Sequence, residues 1–222
     1  MNLYHGSAQI VKRPLYGFGK ATNDYGRGFY CTESLELAKE WACPAKTDGF
    51  ANAYELDIEG LRVLDLNSPD RGVLDWLSVL VENRPVRLES PLQEEALAWI
   101  KAHFHVSTGG YDIIRGYRAD DSYFGFVRSF LENGISLAQL RRAMRLGNLG
   151  EQIMIRSKKA FSRLRFVKSE RAPWTTYYIQ RQNRDAAARA DFQKETASKS
   201  SEGLFMIDIL RNRMERTDAR LR

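Results

Sequence analysis

Short runs of alternating or unbroken apolar residues, separated by amphipathic stretches of helical period, set the reading of this chain. Leu3 to His5 is expected as a short strand, and Ser7 to Tyr25, rich in Gly, Lys and Asn with Pro14 inside it, as an irregular segment. Arg27 to Cys31 sets aromatic residues of high β propensity beside glycine and predicts a strand. Ser34 to Ala42 predicts a helix with Ser34 as its N-cap, Leu35, Ala38 and Trp41 on one face, and Pro44 ending it. Ala53 to Ile58 alternates apolar and acidic residues, and Arg62 to Leu66 is expected to pair with it across the Glu59-Gly60 turn.

Helices are expected over about Gly72 to Glu82, Pro91 to Phe104 and Leu137 to Leu146, with an aromatic-rich segment from Asp121 to Leu131. Tyr111 to Ile114 and Gln152 to Arg156 read as buried strands, the second as the last clear strand of the core. Ser157 to Leu164 is expected as a short helix leading to Phe166-Val167. Beyond it the pattern predicts one helix from about Thr176 to Thr196, a Ser-rich hinge over Ala197 to Gly203, and a last amphipathic helix with Leu204, Ile207, Leu210 and Met214 on one stripe. This divides the chain into residues 1–168 and a helical extension, 169–222.

Composition narrows the function classes. The 222 residues are 43% hydrophobic and 11% aromatic, enough for a packed core. No apolar run reaches the roughly 20 residues that span a bilayer, and the N-terminus lacks a basic region followed by an apolar stretch, so a cytoplasmic protein without membrane contact is expected. Cys31 and Cys43 match neither a redox pair nor a zinc spacing, and His103 and His105 fall on different faces of a helix, so no metal is expected. Gly17 to Ala21 lacks the spacing and the Ser or Thr of a phosphate loop. Of the net charge of +6, the stretch from Lys168 onward carries +4, with 12 Lys and Arg against 8 Asp and Glu. That basic tail suits either phosphate neutralisation on a nucleic acid or a solvated helix packed on a partner.

The chemistry-bearing residues cluster early. Leu3-Tyr-His5-Gly6-Ser7 is followed by Tyr25-Gly-Arg-Gly28-Phe29-Tyr30, and Trp41 lies eleven residues beyond Tyr30. A strand aromatic and a helix aromatic at that separation can face each other across a cleft and hold a flat ring. A glycine after the histidine lets the backbone approach a ligand.

This order of parts resembles the diphtheria-toxin and poly(ADP-ribose) polymerase branch of the ADP-ribosyltransferases, the H-Y-E class, and is most similar to a small bacterial branch sharing the YHGS, GxGFY and YDI elements. The resemblance covers about Leu3 to Val167. It implies an α+β ADP-ribosyltransferase fold, two packed, mostly antiparallel sheets around an NAD cleft, followed by the helical extension. It implies NAD⁺ as co-substrate, with His5 bonding the adenosine ribose, Gly6 the nicotinamide carboxamide and Ser7 the adenine-side ribose. Gly28 and Phe29 belong to the cofactor strand, while Tyr30 and Trp41 stack on nicotinamide. Ala38 stands where polymerase-type members often carry a serine that bonds the carboxamide.

The third catalytic residue is either Glu151 or Gln152. Alignment with the polymerases selects Glu151, whereas the bacterial branch carries glutamine at position 152. As neighbours on a strand, only one can face the cleft. Acceptor contacts are expected from Asp120 to Tyr123, Asp120 and Tyr123 foremost, and from the loop over Gly147 to Gly150. The activity implied is transfer of one ADP-ribose to a macromolecular acceptor, protein or nucleic acid, by a toxin restrained by a small antitoxin protein. An NAD⁺ glycohydrolase and a catalytically silent NAD- or ADP-ribose-binding adaptor are the competing readings.

Overall fold

The computed structural model describes residues 1–119, 121–145, 150–197 and 203–221. Two sheets carry the strands. The first has the order β1-β3-β7, from β1 (Asn2–Ser7), β3 (Gly49–Leu56) and β7 (Leu164–Ala172), all antiparallel. The second has the order β2-β6-β5-β4, from β2 (Phe29–Cys31), β6 (Glu151–Ile155), β5 (Ile113–Tyr117) and β4 (Val63–Asp65). Its β2-β6 and β5-β6 pairs are antiparallel, and its β4-β5 pair is parallel. The chain is therefore α+β with two mostly antiparallel sheets.

Two expectations about the strands are corrected. Arg62 to Leu66 does not pair with Ala53 to Ile58, because both edges of β3 are already taken by β1 and β7. β4 instead enters the other sheet beside β5, and the parallel pairing is made possible by a long crossover through α2 (Val73–Asn83) and α3 (Pro91–His103). Gln152 to Arg156 is not the last strand either. Phe166 and Val167 lie in β7, a half-exposed edge strand whose polar residues mask its period, and the expected boundary between residues 168 and 169 falls inside it.

Helices close both sheets. α1 (Leu35–Ala42) starts where the Ser34 hydroxyl accepts from the Leu37 N–H at 3.2 Å, as the capping pattern required. The aromatic-rich segment forms α4 (Asp121–Leu131), whose Phe126, Val127, Phe130 and Leu131 repeat at helical spacing and are buried. α5 (Leu137–Ala143) and α6 (Lys158–Ser162) are short and capped by Ser136 and Ser157. α7 (Trp174–Ala197) is the long helix of the extension. The last helix, α8 (Met206–Arg211), is shorter than its stripe implied, and it buries Met206, Ile209 and Leu210, leaving Ile207 half-exposed.

The larger core lies between the second sheet and the helices around it. Trp76, Leu77 and Leu80 of α2 meet Ile100 of α3, Phe130 of α4 and Met154 of β6 there. A smaller core, with Leu3, Cys31, Leu56, Ile153 and Ile155, joins the two sheets. Ala42, Cys43 and Ala172 with Trp174, Tyr177 and Tyr178 hold α7 against the end of α1. Burying such side chains contributes about 1.5–3 kcal/mol each. Cys31 and Cys43 are free and buried, and burial pushes the Cys31 thiol well above its ordinary range.

Candidate active site

The two sheets touch through one backbone pair. Tyr4 N–H donates to Thr32 C=O at 2.8 Å and Thr32 N–H to Tyr4 C=O at 2.9 Å, after which β1 and β2 diverge. A cavity of about 1060 Å³ opens in the gap, large enough for a dinucleotide. His5, Gly6 and Ser7 of β1, Gly28, Phe29 and Tyr30 at β2, Trp41 of α1 and Gln152 of β6 all line it. Residues expected to share a site from sequence are thus brought together from three strands and a helix.

His5 Nδ1 lies 2.7 Å from the Tyr30 carbonyl. A carbonyl only accepts, so Nδ1 carries the proton and Nε2 is left as an acceptor. Burial lowers the His5 pKa from the usual 6.5, against the smaller opposing effect of the Tyr30 bond, so the ring is neutral at pH 7. Its face packs on Phe29 with centroids 4.4 Å apart, and Phe29 in turn meets Tyr54 edge-on at 5.5 Å. Phe29 is therefore as much a support for His5 as a wall of the cavity.

Gly6 is required twice over. Tyr4 directs its N–H and C=O away from β3, and the period of two along a strand directs those of Gly6 the same way, into the cleft. A Cβ at Gly6 would stand 2.0 Å from the Ala38 carbonyl oxygen and 2.9 Å from Trp41 Cβ, so the glycine also lets α1 lie against β1. The Ser7 hydroxyl donates to Gln9 C=O at 2.7 Å and accepts from Asn52 Nδ2 at 3.0 Å.

Tyr30 is anchored at its hydroxyl, which donates to Gly26 C=O at 2.7 Å and accepts from Tyr25 N–H at 3.0 Å. Burial raises its pKa strongly, so the phenol stays protonated and keeps that donor. Tyr25 stacks beside it at 6.4 Å. Trp41 carries the guanidinium of Arg118 over its ring at 4.6 Å, so a ring sandwiched with Tyr30 must use the other face or displace Arg118.

The neighbours on β6 separate as strand geometry demands. Gln152 is buried at 4% exposure and lines the cavity. Glu151 points to the opposite face, accepting from Asn67 Nδ2 at 2.8 Å and pairing with Arg115, which also holds Glu33 at 3.0 Å. It borders a separate hollow beside α1, lined also by Arg115 and Glu40. Asp120 and the loop over residues 146–149 lie outside the described residues, and Tyr123 lies within α4, its side chain outside them.

Several site residues went unnoticed in sequence. Asp24, buried at 8% exposure, accepts from Arg84 at 3.0 Å, Ala119 N–H at 2.9 Å and Gln152 Nε2 at 2.8 Å. Asn52, fully buried, accepts from Val11 N–H at 2.9 Å and donates to the Ser7 hydroxyl and the carbonyls of His5 and Gln9. It pins the irregular segment that forms one wall. A lone Asn between alanines on an inward-facing run was the available signal. Arg118 and Arg181, the latter from α7, had none.

An α+β chain with a deep cleft between two sheets is the class that this geometry defines. Residues 1–166 match the family model described as "Protein of unknown function (DUF3990)", and the chain belongs to that family. No curated protein and no solved structure matches the chain.

Proposed function

We propose that this protein is a mono-ADP-ribosyltransferase that cleaves NAD⁺ and transfers ADP-ribose to a macromolecular acceptor. The observation that carries the reading is the convergence of His5, Gly6, Tyr30, Trp41 and Gln152, elements of one sequence resemblance, on a single cavity. In this reading His5 Nε2 accepts from a ribose hydroxyl, and the Gly6 backbone edge meets the carboxamide. Tyr30 and Trp41 hold the nicotinamide ring. Gln152 accepts from the 2′-hydroxyl of the reacting ribose through Oε1.

The bond between C1′ and the nicotinamide nitrogen breaks, and its electron pair leaves with neutral nicotinamide. The ribosyl cation is captured by a nucleophile of the acceptor, which gives up a proton to water. The amide dipole of Gln152, with the Asp24 carboxylate behind it, favours the developing cation. The biological setting proposed is that of a bacterial toxin held by a small antitoxin protein.

Incubation with NAD⁺ labelled on the adenylate, with and without bacterial lysate, tests the proposal through nicotinamide release and a labelled macromolecule. Nuclease or protease digestion of the product identifies the acceptor class. Free ADP-ribose without labelled macromolecule would make the protein a glycohydrolase. The neutral amide at Gln152, with Glu151 on the other face, favours one further reading, a silent binding module. Binding of NAD⁺ without nicotinamide release would establish that reading instead.

A further inference from the structure

Among the described residues the cavity is strongly cationic: Lys12, Arg13, Lys20, Arg84, Arg118 and Arg181 line it, against the carboxylate of Asp24. These cations form two tiers. Lys12, Arg13 and Lys20 are exposed on the rim, whereas Arg118 and Arg181 are half-buried deeper in the wall. Arg84 is spoken for by Asp24 at 3.0 Å. Arg118 is laid over Trp41. Arg181 comes from α7, where the Asp185 carboxylate on the same helix is 3.9 Å from its Nε. Its Nε is buried with no hydrogen-bond partner among the described residues.

Asp185 and Glu40 balance the charge of Arg181 from a distance but leave its buried Nε–H without an acceptor, a cost that an anion in the cavity would relieve, and the planar fork suits phosphate oxygens. Both arginines line the cavity with Trp41, Arg118 directly over its ring, and both act on Glu40 of α1, so they belong to the α1 side of the cavity, the corner beside Trp41. We propose that this corner is a subsite for the diphosphate of a nucleotide ligand, gripped by Arg118 and Arg181. The assignment of that diphosphate to NAD⁺ rests on the functional reading above. The extension beyond residue 166 is then part of the binding site, since α7 is fixed to α1 by the Ala42, Cys43 and Ala172 cluster and brings Arg181 to the wall.

The test is calorimetric titration of the full chain with NAD⁺, ADP, inorganic diphosphate and nicotinamide, for the wild type, Arg181→Gln, Arg118→Gln and a control, Lys194→Gln, an exposed cation of the same helix. Thermal melts establish that each variant is folded. The expected result is that Arg181→Gln and Arg118→Gln each weaken ADP and NAD⁺ roughly tenfold or more, from the loss of a charge-assisted bond. Nicotinamide binding stays unchanged in Arg181→Gln, and the control variant binds each ligand as the wild type does. Wild-type binding of NAD⁺ with undiminished ADP affinity in folded Arg181→Gln would overturn the subsite and leave the dinucleotide reading intact. Arg181-dependent binding of ADP and diphosphate without any binding of NAD⁺ would support the subsite and overturn the dinucleotide. No binding of ADP or diphosphate to the wild type would overturn the subsite outright.

Discussion

Gln152 gives one amide hydrogen to Asp24 Oδ2 at 2.8 Å and faces the Tyr117 carbonyl with the other at 3.2 Å. Two acceptors on one side require the nitrogen there, so the amide orientation follows from the network. Its Oε1 is thereby the atom left to accept from a ligand. The carboxylate behind the amide polarises it, and gives a neutral glutamine some of the electrostatic character a glutamate would bring.

Gln152→Glu is therefore expected to harm the protein. Two carboxylates would meet at hydrogen-bond distance, and one must take up a proton or repel the other. A stability loss of about 2–3 kcal/mol at pH 8, much smaller at pH 5, is expected from denaturant titrations. Asp24→Asn combined with Gln152→Glu restores a donor–acceptor pair between the two side chains but sets an amide donor against Ala119 N–H and a carboxylate against Tyr117 C=O, so only part of the stability should return. A single Gln152→Glu variant as stable at pH 8 as the wild type would show that Asp24 does not govern this position.

His5→Ala should lower nicotinamide release about 100-fold while the fold persists, since the ring is a wall of the cavity. Tyr30→Phe removes the bonds to Gly26 and Tyr25 and is expected to cost about 1–3 kcal/mol of stability besides activity. Single-turnover rates paired with melting curves separate the two effects. Normal rates in both variants would dismiss the site.

The His5 pKa is depressed below 6.5, so neutral His5 contributes stability that is fully present above that pH. Between 6.5 and the folded value the unfolded chain binds the extra proton, and stability falls as the medium is acidified through that window. Nicotinamide release and NAD⁺ affinity should accordingly be flat from pH 8 to 6.5 and decline only in more acidic solution. His5→Gln should lose that acid-side decline in stability.

Gly6→Ala places a Cβ 2.0 Å from Ala38 C=O and 2.7 Å from Ala42 N, backbone atoms that cannot turn aside. About 3 kcal/mol of destabilisation or more is expected from such overpacking, with loss of NAD⁺ binding. Gly109→Ala, with nothing within 4 Å, is the matched neutral control in a thermal melt.

Asn52→Ala removes the one side chain that ties Val11, Gln9, Ser7 and the His5 carbonyl together. Roughly 2 kcal/mol should be lost, and the Gln9 to Val11 backbone should exchange its amide hydrogens faster than in the wild type.

Local periodicity and capping were enough to read most of the elements. Ser34 announced α1, although the face it buries is Leu37, Ala38 and Ala42 and of the expected Leu35, Ala38 and Trp41 only Ala38 is fully buried, and the apolar runs at Ile113 and Ile153 marked buried strands. Alternation along β6 also required that Glu151 and Gln152 part company. Which of them faces the cavity depends on the side of β6 that the diverging strands β1 and β2 leave open, a matter of pairing across more than a hundred residues. The same holds for β4, whose partner is set by the occupied edges of β3, and for Asp24, which meets Gln152 only across 128 positions of sequence. Hydrophobic period and caps act within a few residues and so are written locally. Strand order, the charge of the cavity and the reach of Arg181 from α7 arise from packing between distant segments, and only the tertiary structure settles those.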